Sequence, residues 1–234
     1  MQQPTWPAVA VVLPGTGSDA DFADRAFREA LTQVAVDTVA VEPDPQRVVE
    51  SYRAAMDRAA DIHGRIVVGG VSIGAAVAIE WAAANPDRVA AVLAALPAWT
   101  GSPVGAPAAA SANFTAAQLR IHGLEAVTAE MTASSPPWLA DELTRSWRAQ
   151  WPHLPSALEE AATYHAPDSA VLTRVRVPVG IAAAIDDAVH PFTVAKEWAS
   201  MLPRAEMSEL TLDAVGTDPA ALGRACLAAI ERIE

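Results

Sequence analysis

Residues 65–80 read Arg65-Ile-Val-Val-Gly-Gly-Val-Ser-Ile-Gly-Ala-Ala-Val-Ala-Ile-Glu80. The β-branched run at residues 66–68 suits a strand, and the alanine-rich run from Ala75 onward suits a helix. Between them stands Gly70-Val71-Ser72-Ile73-Gly74, a G-x-S-x-G pattern at a strand-to-helix junction. A serine on so sharp a turn has a strained backbone, and side chains two residues to either side would collide with neighbouring elements. Glycine removes those collisions and leaves the hydroxyl exposed, as a nucleophile elbow requires. The competing reading is an ordinary glycine-rich turn whose serine caps the helix.

The surrounding chain alternates strand and helix patterns. Residues 8–13 form a continuous apolar run of the kind found in a parallel strand covered on both faces. A tight turn, Pro14-Gly-Thr-Gly-Ser-Asp19, follows, and then a helical pattern over residues 22–31. Residues 36–41 read as a second strand. Residues 46–61 form an amphipathic helix with Val48, Val49, Tyr52 and Met56 on one side. Strand 65–69, the elbow, helix 73–84 and strand 90–96 continue the alternation, which predicts a mostly parallel sheet with helices on both faces. Gly101-Ser-Pro-Val-Gly-Ala-Pro107 then reads as a flexible link, and residues 108–173 show only helical periodicity broken by prolines and carry Trp138, Trp147 and Trp151. This region is expected to be a helical insertion, with the three tryptophans divided between its own core and a pocket wall. Strand 177–185, the loop Asp186-Asp-Ala-Val-His-Pro191, a helix over 192–201, a last strand near 206–213 and a terminal helix complete the chain.

Composition narrows the function. The chain has 234 residues, is 52% hydrophobic and has a formal net charge of −12, which suits a single domain with a full core. Without a basic cluster, nucleic acid and anionic membrane surfaces are not expected partners. The single cysteine, Cys226, excludes an internal disulfide and a cysteine-based metal site, and its apolar helical surroundings mark it as core. No signal peptide or membrane span is evident, so a cytoplasmic location is expected. Gly15-x-Gly17-x-x-Ala20, with Glu42 beyond it, fits a loose dinucleotide pattern, but no Tyr-x-x-x-Lys accompanies it and the lone G-x-G-x-x-A is weak.

The order of parts resembles the α/β-hydrolase superfamily over nearly the whole chain, entering at what would be that family's third strand. The resemblance implies a doubly wound six-stranded sheet with a helical cap inserted at about 101–174, and a small-molecule substrate without metal or cofactor. It implies that Pro14-Gly15 opens an oxyanion loop at the pocket, with the backbone N–H groups of Thr16 and Ile73 facing the developing charge. Asp187-Ala-Val-His-Pro191 resembles the family's acid loop, with Asp187 on the acid position and Asp186 as its competitor.

One departure decides what can be expected of Ser72. The family's histidine lies after the last strand, where this chain has Gly216-Thr217-Asp218-Pro219. Of the five histidines, His63 falls at the wrong end of the sheet, and His122, His153 and His165 fall in the insertion. His190 stands three residues past Asp187, a spacing that brings two side chains together on a turn. The expected constellation is therefore Ser72 as nucleophile, His190 as base and Asp187 as its partner, hydrolysing or transferring the acyl group of a small apolar ester, thioester or amide. Without a base at Ser72, two readings remain: a degenerate ligand-binding protein on the same fold, or a lyase or cyclase using the same pocket.

Overall fold

The computed structural model describes residues 6–233. In chain order the elements are β1 (Val9–Leu13), α1 (Ala20–Gln33), β2 (Asp37–Ala40), α2 (Val48–His63), β3 (Ile66–Val71), α3 (Ile73–Ala84) and β4 (Val89–Ala95). Four helices follow without an intervening strand: α4 (Pro107–Ser134), α5 (Pro137–Gln150), α6 (Leu154–Thr163) and α7 (Ser169–Leu172). The chain closes with β5 (Val179–Ala184), α8 (Phe192–Met201), β6 (Ala205–Leu210), α9 (Leu212–Thr217) and α10 (Ala221–Ile230).

The six strands form one sheet in the order β2-β1-β3-β4-β5-β6, and every pairing is parallel. The sequence suggests a mostly parallel sheet, and the described sheet has no antiparallel member. Strands β1, β3, β4 and β5 are buried almost throughout because helices cover both faces, whereas the edge strands β2 and β6 are half exposed. Alternate side chains feed two cores. Val9, Val11 and Leu13 join Tyr52, Met56 and the residues of α3 on one face. Ala10 and Val12 join Phe22, Phe27, Leu222 and Cys226 on the other. Cys226 is fully buried, and desolvation pushes its thiol above the ordinary range, as suits a core residue.

Strand order reverses between β1 and β3, which leave the sheet in opposite directions toward their helices. The loops after β1 and β3 therefore meet at the carboxyl edge, where open α/β sheets bind ligands. Helix α3 starts at this point and is buried nearly all round, which explains its composition of alanine, valine and isoleucine rather than an amphipathic pattern.

The helices between β4 and β5 have a small core of their own, built from Leu119, Val127, Trp147, Leu154 and Leu158. Proline stands in the first turn of α4, α5 and α6, where its missing N–H is tolerated, and α4 bends at Gly123 (φ 77°). This insertion is tied to the sheet domain by a carboxylate: Glu160 of α6 accepts hydrogen bonds from the amides of Val48 (2.7 Å) and Val49 (3.0 Å). Those N–H groups open α2 and have no partner within their own helix, so Glu160 caps α2 from across the domain.

Two local differences from the sequence reading matter later. The last strand ends at Leu210, and the segment expected as a loop after it winds into α9, with Thr211 as its cap through the Ala214 amide at 3.2 Å. Gly216 in that helix lies flush against the ring of Trp138, with no room for a side chain between them.

Candidate active site

Ser72 ends β3 and opens α3 with φ 56° and ψ −116°, a backbone conformation that L-residues rarely hold. Its neighbours explain how the turn closes. A Cβ on Gly70 would lie 2.7 Å from the Leu13 carbonyl oxygen, and one on Gly74 would lie 2.5 Å from that oxygen and 2.7 Å from that of Pro14. The β1 backbone crosses the turn so closely that only glycine fits at either position. Ser72 is 6% exposed and makes no capping bond to α3.

The serine hydroxyl instead meets an imidazole. Ser72 Oγ lies 3.0 Å from His190 Nε2, and His190 Nδ1 lies 2.7 Å from Asp187 Oδ2. A carboxylate only accepts, so Nδ1 carries the proton that is donated to Asp187, and the unprotonated Nε2 accepts from the serine O–H. The other carboxylate oxygen, Asp187 Oδ1, accepts the amides of Val189 (2.7 Å) and His190 (3.0 Å), closing a tight turn around the acid. Burial by itself would raise the Asp187 pKa. The hydrogen bond and electrostatic attraction of the His190 ring, with the two amides, outweigh that and hold the carboxyl below its ordinary range.

That direction makes a stability prediction. A carboxyl whose pKa is lower in the folded state stabilises the fold above its unfolded value, near 3.9, and the contribution is lost as pH falls through the lower folded value. Wild type is therefore expected to exceed Asp187→Asn in unfolding free energy at neutral pH. The gap should narrow below about pH 4, as read by urea unfolding across the acid range; a gap independent of pH would show that the ionised carboxylate contributes nothing.

The other sequence candidates are placed as follows. Asp186, the competitor for the acid position, is exposed and accepts the Leu212 amide at 2.9 Å, joining the acid loop to the start of α9 rather than to His190. His63 and His122 are exposed, His165 lies exposed near Gly101, and His153 pairs with Gln46 Nε2 at 3.0 Å. Thr16 and Ile73 line one cavity together with Gly15, Gly17, Ser18, Pro43, Val48, Tyr52, Gln150, Ala157 and Ala161. Its free volume is about 10 Å³, room for roughly one water. The loop after β1 and the first residue of α3 thus border the same space.

None of the three tryptophans, expected to be divided between the core of the insertion and a pocket wall, lines that cavity. Trp138 fills the space beside Gly216, Trp147 is 5% exposed in the core of the insertion, and Trp151 is 40% exposed. Two of the three rings are thus taken up by packing against neighbouring elements. The weak dinucleotide pattern is accounted for as well. The N-terminus of α1 already receives two carboxylates, Asp19 on the Phe22 amide at 3.0 Å and Glu42 on the Ala20 amide at 3.1 Å. Negative side chains occupy the end where a pyrophosphate would need free donors. Sequence reasoning missed the contacts that α5 makes with the loop after β1, because each joins residues more than 100 positions apart and no local pattern marks them.

A parallel α/β sheet with a serine turn and a hydrogen-bonded Ser–His–Asp chain at its carboxyl edge defines a class built around a serine elbow. The chain belongs to the alpha/beta hydrolase family, whose family model matches residues 3–221. It is similar in structure to a hydrolase from Pseudomonas aeruginosa, with TM-score 0.68 and 20% identity over 97% of this chain and 91% of that one. An enol-lactonase from Burkholderia xenovorans gives TM-score 0.65 and 17% identity, covering 92% of each chain. A thermophilic esterase from Thermogutta terrifontis gives TM-score 0.63 and 17% identity over 89% of this chain and 82% of that one. No curated protein matches the chain. None of its helices is long and apolar enough to cross a membrane, among the described residues.

Proposed function

We propose that the protein is a serine hydrolase or acyl-transfer enzyme that acts on a small, largely apolar ester or thioester through Ser72. The observation that carries this reading is the continuous hydrogen-bond chain from Ser72 Oγ to His190 Nε2 and from His190 Nδ1 to Asp187. In the reaction, His190 Nε2 takes the Ser72 proton as Oγ attacks the substrate carbonyl. The tetrahedral oxyanion accepts from the Thr16 and Ile73 amides, which fixed donors in a water-poor site stabilise. His190 then protonates the leaving alkoxide or thiolate, and the acyl group stays on Ser72. A water or an acceptor alcohol gives its proton to His190 as it attacks the acyl-enzyme, and His190 returns that proton to Ser72 Oγ as the acid or the new ester leaves. Asp187 keeps the ring in the correct tautomer and offsets its positive charge while it is doubly protonated.

Val48, Ala157 and Ala161 in the walls of that small cavity are apolar, which supports a largely apolar substrate. The helical insertion, which supplies Gln150, Ala157 and Ala161 to that cavity, acts as the cap. A catalytically silent ligand-binding protein would need no base at Ser72, so the 3.0 Å contact to His190 favours catalysis over binding alone. The test is labelling with a fluorophosphonate together with turnover of p-nitrophenyl acetate, butyrate and octanoate. Ser72 should be the labelled residue, and Ser72→Ala should abolish both labelling and turnover. A wild-type protein that neither labels nor turns over any ester would refute the proposal.

A further inference from the structure

We propose that cap helix α5 positions the oxyanion loop, with Ser146 and Gln150 as positioning residues that aim the Thr16 amide at the reacting carbonyl oxygen; this rests on the serine-hydrolase reading above. Three consecutive residues of the loop after β1 are each held by α5. Ser146 Oγ donates to the Gly17 carbonyl at 2.5 Å, and Gln150 Nε2 donates to the Ser18 carbonyl at 2.9 Å. Arg145 grips both carboxylate oxygens of Asp19, at 2.9 Å each. Ser146 and Gln150 stand four residues apart, so they share the face of α5 turned to the loop. They are 1% and 4% exposed, and buried polar side chains that bond a loop backbone are costly to leave unpaired. Between them, Trp147 lies against Gly17, where a Cβ would come within 2.9 Å of the indole Nε1. That N–H is buried without a partner, so close apposition of α5 and the loop is maintained although it leaves a donor unsatisfied.

The effect reaches the Thr16 amide through peptide geometry. The Ser18 amide donates to the Gly15 carbonyl at 3.1 Å. In a trans peptide the carbonyl and the N–H point in opposite directions, so holding the Gly15 carbonyl toward Ser18 turns the Thr16 N–H the other way. On the near side, the Tyr52 hydroxyl donates to the Pro14 carbonyl at 3.1 Å, so the peptide before Gly15 is held as well. Gly17 and Ser18 are therefore the adjustable part of the loop, and α5 supplies their anchors. If α5 moves away, the loop carbonyls lose their partners and the Thr16 donor loses its aim.

The test compares wild type with Ser146→Ala and Gln150→Met, the latter keeping the volume of the side chain while removing the donor. Turnover of p-nitrophenyl acetate is measured alongside inhibition by phenylboronic acid, whose tetrahedral serine adduct places an oxygen where the oxyanion forms. Loss of an oxyanion donor outright costs about 10²–10³ in kcat, and a donor merely misaimed should cost about 10- to 100-fold. KM should stay within about two-fold, because the ground-state carbonyl uses the donors little, and the boronate inhibition constant should rise in proportion to the loss in kcat/KM. Wild-type kcat in both variants would overturn the inference, as would a loss confined to KM with boronate affinity unchanged. Failure of the underlying reading is separately visible, since wild type would then neither label nor turn over, and the inference falls with it.

Discussion

Replacing His190 by alanine is expected to lower p-nitrophenyl acetate turnover by about 10⁴-fold or more and to slow fluorophosphonate labelling of Ser72 to a comparable degree. The size of the effect follows from the lack of a substitute. His190 Nε2 is 3.0 Å from Ser72 Oγ, while His63, His122 and His165 are exposed elsewhere and His153 is engaged with Gln46. Without a base the serine must give up its proton to water, and a neutral hydroxyl is a poor nucleophile. The loss should fall on kcat, because His190 acts on the proton and not on substrate binding. The fold should survive, since His190 lies on a loop and contributes no strand or helix to the sheet. Turnover within ten-fold of wild type would show that the base is another group.

Gly74→Ala should have the largest structural effect. The new Cβ would sit 2.5 Å from the Leu13 oxygen and 2.7 Å from the Pro14 oxygen, both backbone atoms that no rotamer change can move aside. Either α3 must withdraw from β1 or the β1 end must shift, and both lie in the main buried core. Overlap and strain at such a site rank among the mutations that cost more than about 3 kcal/mol, so a drop in Tm of many degrees or insoluble expression is expected. A variant that melts within about 2 °C of wild type would show that the turn has slack. A folded residue of the population should still lose activity, because Leu13 and Pro14 lead directly into the loop that carries Thr16. Gly15→Ala makes a useful contrast: its Cβ would meet nothing closer than 3.5 Å.

The alternation of strands and helices was legible because burial on both faces imposes uninterrupted apolar runs on β1, β3, β4 and β5. Element ends were less so. Thr211 caps α9 through the Ala214 amide, and six residues with a glycine inside carry too little periodicity to mark that short helix in the sequence. The Asp187–His190 pair was legible for a local reason, since three residues on a turn bring their side chains together. Its approach to Ser72 was not. Ser72 and His190 are 118 positions apart, and their meeting depends on β3, β4 and β5 lying side by side with their carboxyl ends in register. How the tryptophans divide between core and pocket was not legible for the converse reason: an aromatic ring suits a pocket wall or a helix interface equally, and only its neighbours decide.

The elbow glycines, the acid–histidine spacing and the parallel sheet are properties of short stretches of chain, governed by backbone sterics and by the period of burial. Whether a histidine outside its family position reaches Ser72, and whether α5 grips the loop after β1, depends on contacts between residues more than 100 positions apart. Such contacts carry no signature in a single sequence, because the distance between two side chains is set by the packing of every element between them.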